Sequence, residues 1–309
     1  MLPLSPWKDS VPQSSFLSDV SVLVPVIRED SLFEETLASV LQHRQPGQQI
    51  VVVHNGSYDD PFELAGEVEF ATARSANLVD LIRDGLAAVD APLVHVIAPG
   101  MIATEGWLDA SNDVFADPQT ATWIPDLIAA DGTLTTAGWA DTPRRLCQPG
   151  QRGAALQVAG FYLDGFTMRT TLLYQLFEVV APALYDPLLV SYAFGCLLHR
   201  TGALLDQAQG CTLEQHPQAS TEHRFGSDSR LQRGRDLAAI QALVLNESFS
   251  VGGFTGLAAS LFGGSGAIAE TVGMSRYQQS LPMMRRAIDV QGFDLSQEQG
   301  VQAGFRRAA

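Results

Sequence analysis

Few side chains in this chain look able to do chemistry, and most of them stand where an apolar run ends. Ile27-Arg28, His54-Asn55-Gly56-Ser57 and Ala98-Pro99-Gly100 close three such runs. The first two groups offer a guanidinium, an imidazole, a carboxamide and a hydroxyl, groups that bond phosphate oxygens or the edge of a base. The third has no functional side chain, so only its backbone N–H groups could meet an anion. Arg144, Arg145 and Arg152 fall in one stretch, TPRRLCQPGQRG, and guanidinium forks suit phosphate oxygens. His54, His95 and His216 are of the type that binds soft metals, but their spacing compels no site. Each feature has a structural alternative. Asn55-Gly56 and Asp164-Gly165 are turn signals, the arginine stretch reads as a solvated loop, and His95 sits mid-strand as a core residue. Trp107, Trp123 and Trp139 could stack on sugar rings, yet their amphipathic positions favour packing.

The elements that must position these groups follow from hydrophobic patterning. DVSVLVPV (19–26), QQIVVVH (48–54) and APLVHVI (91–97) are continuous apolar, β-branched runs, the pattern of strands buried on both faces. Between them, DSLFEETLASVLQH and SANLVDLIRDGLAAV repeat apolar residues at helical spacing, the first with Asp30 or Ser31 as N-cap and Glu34 in reach of a capping box. TEGWLDASNDVFA predicts a third helix, capped by Thr104. This alternation predicts an α/β fold with a mainly parallel sheet, whose ligands bind beyond the carboxyl ends of the strands. Further on, TATWIPDLIAADGTLTTAGW predicts two strands around Asp131-Gly132, and AALQVAGFYLDGFTMR another strand pair. TTLLYQLFEVV and DPLLVSYAFGCLLHRTG predict helices, the second buried, and ALLDQAQGCTLEQH predicts strands. The expected division is a flexible arm over 1–18, an α/β domain over 19–220 and a helical, Gly-rich C-terminal extension over 221–309.

Bulk properties narrow the function. With 46% hydrophobic and 17% charged residues the chain is globular. A net charge of −15 repels a phosphate backbone, which argues against nucleic acid as a partner. Cys147, Cys196 and Cys211 are widely spaced, form no zinc pattern and read as reduced thiols of a cytoplasmic protein. The N-terminus lacks the pattern of a signal peptide. Ser248–Ala269 is uncharged and long enough to span a bilayer, but its Gly/Ser content favours a loop or a packed helical hairpin, so membrane contact is at most peripheral.

Taken in order, the motifs resemble the family 2 glycosyltransferases of GT-A fold, in particular a rhamnosyltransferase-like branch. VSVLVPVIREDSLFEETLASVL resembles the family's opening strand and helix, IVVVHNGSYDD its D-N-G-S-x-D-D turn, and VHVIAPGMIATEGWL its strand ending in N-P-D or D-x-D. IPDLIAADGTLTTAG, GFTMRTTLLYQL, LYDPLLVSYAFGCLLHRTG and HPQAS resemble later motifs. The resemblance implies a nucleoside-diphosphate sugar donor, a glycan or lipid-linked acceptor, a Mg²⁺ or Mn²⁺ ion on the diphosphate and a carboxylate base. Pro25, His54, Asn55, Ser57, Ala98, Gly100 and His216 are the implied nucleotide-sugar contacts.

The departures fall on the carboxylates. The resemblance puts His54 where the family holds base and ribose with an acid, Ala98 and Gly100 where it binds metal, and Val190-Ser191, with Ala193 following, where it places the E-D pair. The expected protein is therefore catalytically degenerate, with no metal cofactor, no Mg²⁺ or Mn²⁺ being supported. It would be a nucleotide-sugar-type scaffold, able to partner a protein of a glycan pathway. Two alternatives stay open. One is an active, metal-independent inverting transferase of cell-envelope or exopolysaccharide synthesis, with Arg144, Arg145 and Arg152 clamping the diphosphate and Asp164 as a displaced base. The other is a scaffold used for interaction alone, with Val190 and Phe194 filling the cleft. Because Gly100 and Ser191 are small, restoring acids there is expected to be sterically mild.

Overall fold

The computed structural model describes residues 19–142, 145–151, 159–206, 210–219, 229–246 and 264–293. The N-terminal arm, most of Ser248–Ala269, Arg144 and Arg152 lie outside the described residues.

Strand β1 (Val20–Pro25) is buried along its whole length, as its unbroken apolar run requires. It pairs in parallel with β2 (Ile50–His54) on one side and β4 (Leu93–Ile97) on the other, and β2 pairs with a short edge strand β3 (Glu69–Thr72). Three more strands complete a seven-stranded sheet: β6 (Thr120–Trp123), β11 (Gly165–Arg169) and β12 (Leu204–Asp206). Only β11 runs against its neighbours, β4 and β6. A second, six-stranded sheet holds β5 (Met101–Ala103), β7 (Asp126–Ile128), β8 (Leu134–Thr142), β9 (Arg145–Gln151), β10 (Gly160–Phe161) and β13 (Thr212–Gln215).

Helix α1 (Ser31–Gln42) starts at Asp30, whose Oδ1 accepts the Phe33 N–H, and buries Phe33, Leu37 and Val40. Helix α2 (Leu78–Gly85) is capped by Asn77 in the same manner. After the short α3 (Ser111–Val114) come α4 (Thr170–Val179) and α5 (Pro187–Arg200), which begins with Asp186 as cap and Pro187 in the first turn. Helices α6 (Arg230–Val244), α7 (Gly264–Met274) and α8 (Leu281–Ala287) follow. Leu237, Ala238, Ala239 and Ile240 of α6, with Met274 and Met284, enter the same apolar core as α4, α5 and one face of the large sheet.

Three expectations are corrected. The third helix does not start at Thr104: turns occupy the segment up to Ala110, because Thr104 Oγ1 donates to the Thr212 carbonyl (2.7 Å) instead of capping, and Trp107 is drawn edge-on against His95 (4.6 Å between centroids). The arginine stretch is not a loop from Arg145 onward. Residues 145–151 form β9 against β8, with Leu146 and Cys147 buried. The two strands expected as a pair in AALQVAGFYLDGFTMR do not pair with each other: β10 joins β8, and β11 inserts between β4 and β6.

Candidate functional site

At the carboxyl ends of β1 and β2, polar groups are open to solvent. Pro25 ends β1, and the next N–H, of Val26, donates to the Val53 carbonyl at 2.7 Å. His54 Nδ1 accepts the Gly56 N–H (3.2 Å), and its ring meets Tyr58 and Phe70 at centroid distances of 6.0 and 6.1 Å. Asn55 Oδ1 accepts the Ser57 N–H at 3.4 Å. The single Ser57 hydroxyl proton is shared between Asn55 Oδ1 (2.7 Å) and Glu29 Oε1 (3.0 Å). Asn55, Gly56 and Ser57 are exposed. Beneath them Tyr58 is buried, and its hydroxyl has no hydrogen-bond partner among the described residues. Burial first, then the charges of Asp60, Glu29 and Glu34, hold this phenol above its ordinary range, so it stays a donor. These acids make the mouth negative, a poor setting for a bare diphosphate.

One strand over, the turn after β4 is closed. Ala98 is fully buried and its N–H donates to the Asp164 carbonyl at 2.9 Å. The Gly100 N–H donates to Thr36 Oγ1 (2.9 Å), and the Gly100 carbonyl accepts the His216 N–H (2.9 Å). Gly100 has φ +89°, and a Cβ there would stand 2.6 Å from the Ala219 Cβ. Residues 216–219 thus form a strap across Gly100, tied by the Ala219 N–H to the His216 carbonyl (2.9 Å). His216 has both ring nitrogens engaged: Nδ1 accepts the Gln218 N–H at 3.2 Å, which leaves Nε2 to donate to Glu35 Oε2 at 3.0 Å. No side-chain oxygen is present at residues 98–100 for a hard cation, and the N–H groups of Ala98 and Gly100 are already used. The residues at this turn therefore do not fit a diphosphate-bridging metal. Among the described residues, no group of three or more His, Cys, Asp or Glu side chains is arranged to hold a metal ion.

The positions of the expected base lie inside the core. Val190, Ser191, Ala193 and Phe194 on α5 are fully buried. Ser191 Oγ donates to the Phe161 carbonyl (2.5 Å) and accepts from Trp139 Nε1 (2.9 Å). The Trp139 indole fills a slot cut by two glycines, Gly160 on β10 and Gly195 on α5, since a Cβ on either would collide with the ring. Tyr192 packs on it with centroids 4.9 Å apart. This block escaped sequence reading. The available signal was an isolated glycine inside a helix pattern and another at a strand, marks of close approach.

The remaining candidates take separate places. Asp164, at the start of β11, is 1% exposed and beside Ala98 through its backbone. Arg145 turns toward the C-terminal helices, its Nε 3.4 Å from buried Glu270, which Arg233 also meets at 3.4 Å. His95 is fully buried, with Nδ1 2.7 Å from Thr167 Oγ1, and desolvation lowers its pKa to about 3, so it is a neutral core residue. Trp107, Trp123 and Trp139 are all core side chains, and the three cysteines are free thiols, all buried. No helix among the described residues is long and apolar enough to cross a membrane.

Comparison with known proteins supplies the fold. No family model matches the sequence, and no curated protein does. Solved structures do match. A mannosyltransferase from Pyrobaculum calidifontis, in complex with GDP-Man and Mn²⁺, aligns with TM-score 0.50 and 14% identity over 98% of this chain and 84% of its own. Residues 1–349 of S. aureus TarS align with TM-score 0.51 and 11% identity over 75% of this chain and 67% of that one. GalNAc-T7, crystallised with UDP, GalNAc and Mn²⁺, aligns with TM-score 0.50 and 13% identity over 73% of this chain. The match spans only 47% of the GalNAc-T7 chain. At these identities the likeness establishes the architecture: a GT-A-like fold, with a central sheet flanked by helices.

Proposed function

We propose that this GT-A-like chain is a catalytically degenerate relative of the nucleotide-sugar-dependent glycosyltransferases, one that keeps a strand-end cleft and has given up metal-dependent transfer. The observation that carries this reading is the strap at Gly100. Where a metal carboxylate is implied, a positive-φ glycine lies under Ala219, with its own N–H spent on Thr36. Transfer needs the departing diphosphate neutralised and the acceptor hydroxyl deprotonated. The first station has no side-chain oxygen. The second, Val190-Ser191, is sealed behind Trp139. Losing both terms costs several kcal/mol each in transition-state stabilisation.

What is left for a ligand is the exposed mouth made by His54, Asn55 and Ser57, with the Tyr58 hydroxyl beneath it. A carboxamide and an imidazole there suit the edge of a nucleobase more than a diphosphate. The GDP-Man of the Pyrobaculum enzyme and the UDP of GalNAc-T7 supply the class of nucleotide to try. In this reading the chain works beside an active partner in glycan synthesis.

Calorimetry with UDP-, GDP- and dTDP-sugars, with and without Mn²⁺, together with a donor-hydrolysis assay, tests the proposal. The expected result is no turnover, and nucleotide binding that Mn²⁺ does not strengthen. Mn²⁺-dependent hydrolysis would overturn it. Absence of binding by every nucleotide would move the reading to a scaffold used for interaction alone.

A further inference from the structure

Behind the Trp139 block, away from the strand ends, lies a cavity of about 220 Å³ between the end of β8, the second half of α5 and α6. Trp139, Asp141, Cys196, His199, Gln241 and Leu245 line it. That is room for a small molecule rather than a drug-sized one. The lining includes two acceptor-bearing side chains, Asp141 and Gln241. Asp141 is half-buried; its Oδ1 accepts the Cys147 N–H (2.7 Å) and its Oδ2 the Tyr192 hydroxyl (2.7 Å), which leaves each oxygen a free lone pair. Among the described residues no lysine or arginine pairs with it. The nearby cations Arg145 and Arg233 both meet Glu270. His199, an exposed residue at the rim, stands beside Asp141. Gln241 Oε1 is buried with no hydrogen-bond partner among the described residues. Burial pushes the Asp141 carboxyl up from its ordinary range, while the Cys147 N–H, the Tyr192 hydroxyl and His199 pull it back down. A half-buried carboxylate with no lysine or arginine partner among the described residues, next to an orphan carbonyl and an indole, can take further donors and positive charge.

We propose that this cavity binds a small primary ammonium ligand with a short apolar body. Its N–H donors go to Asp141 and Gln241 Oε1, and its hydrocarbon lies against Trp139 and Leu245. A neutral alcohol of the same shape supplies one donor and no charge, so it satisfies neither acceptor as well. The site is independent of the strand-end cleft: its walls include α6, and none of its residues belongs to the nucleotide mouth.

The probe is n-butylamine, titrated by calorimetry and by Trp fluorescence into the full chain at neutral pH, against n-butanol as the isosteric neutral control. Butylamine is expected to bind with a millimolar or tighter Kd and butanol roughly tenfold or more weakly. Asp141→Asn keeps the shape and should cost butylamine roughly tenfold while leaving butanol unchanged. Gln241→Leu, on a different element, should weaken butylamine in the same direction, and it decides the matter if Asp141→Asn fails to fold. No butylamine binding, equal binding of amine and alcohol, or insensitivity of amine binding to the folded variants overturns the proposal.

Discussion

The β1–β2 end of the sheet and the Trp139 face of α5 lack the acids implied at His54 and at Val190-Ser191 in opposite ways. At the first, polar groups stay at the surface and bond one another: His54 with Gly56, Asn55 with Ser57, Ser57 with Glu29. At the second, the implied acid positions lie in the core. Ser191 bonds an indole and a carbonyl, and Val190 and Phe194 are fully buried. The turn at Ala98–Gly100 lies between these extremes, lacking polar side chains and covered by a strap. The contrast teaches that a position without its implied acid can be open or overwritten by packing, and that a side chain introduced there can meet a ligand only in the open kind.

The largest expected effect falls on the overwritten side. Trp139→Ala should destabilise the protein by about 3–5 kcal/mol, since it empties the slot between Gly160 and Gly195 and strips Ser191 of a donor. Chemical denaturation measures it, and a loss within experimental error would show that the slot collapses around the missing ring.

Gly100→Asp comes next. By residue size such a restoration is expected to be mild, and the structure reverses that. At φ +89° any side chain is strained, and the new Cβ meets Ala219. A cost of about 2–4 kcal/mol follows. Adding Ala219→Gly should recover part of it, the steric part, and leave the backbone part. If Gly100→Asp alone is neutral and gains Mn²⁺ binding, the strap is not a lock and the turn belongs with the open kind.

His95, under the turn, gives a pH signature. It is neutral in the fold, with a pKa of about 3, whereas the unfolded chain's imidazole titrates near 6.5. The unfolded state therefore binds the extra proton between those values. Stability is unaffected above about pH 6.5 and falls as pH drops below it, by about 1.4 kcal/mol per unit for this one group. Comparing wild type with His95→Leu in denaturation at pH 7.5 and pH 5 should show a smaller acid loss for the variant, by about 2 kcal/mol. Parallel pH curves would contradict the buried, neutral assignment.

The smallest effects belong to the open mouth. Asn55→Ala and Ser57→Ala should each change stability by less than about 1 kcal/mol, because both residues are exposed and bond mainly each other. Any nucleotide affinity found in the parent should drop in both variants. Unchanged affinity would place the nucleotide elsewhere and blur the contrast between the two regions.

The sequence by itself determined the frame. Short apolar runs rich in β-branched residues read as strands buried on both faces, and the helical patterns between them favour parallel crossovers. β4, β1 and β2 accordingly stand side by side in that order. The pattern offers Asp30 or Ser31 as the cap of α1, and Asp30 takes it, because a cap acts on its own next turn. The implied metal and base stations could be read as lacking acids for the same reason: residue identity is local. Tertiary structure alone decided what became of them. Whether Gly100 is open depends on Ala219, whether Ser191 is reachable depends on Trp139, and whether Thr104 caps a helix depends on the Thr212 carbonyl. Each of these partners lies on a different element, far along the chain. No periodicity or propensity encodes such a contact, because it exists only once the two sheets and α5 have packed together.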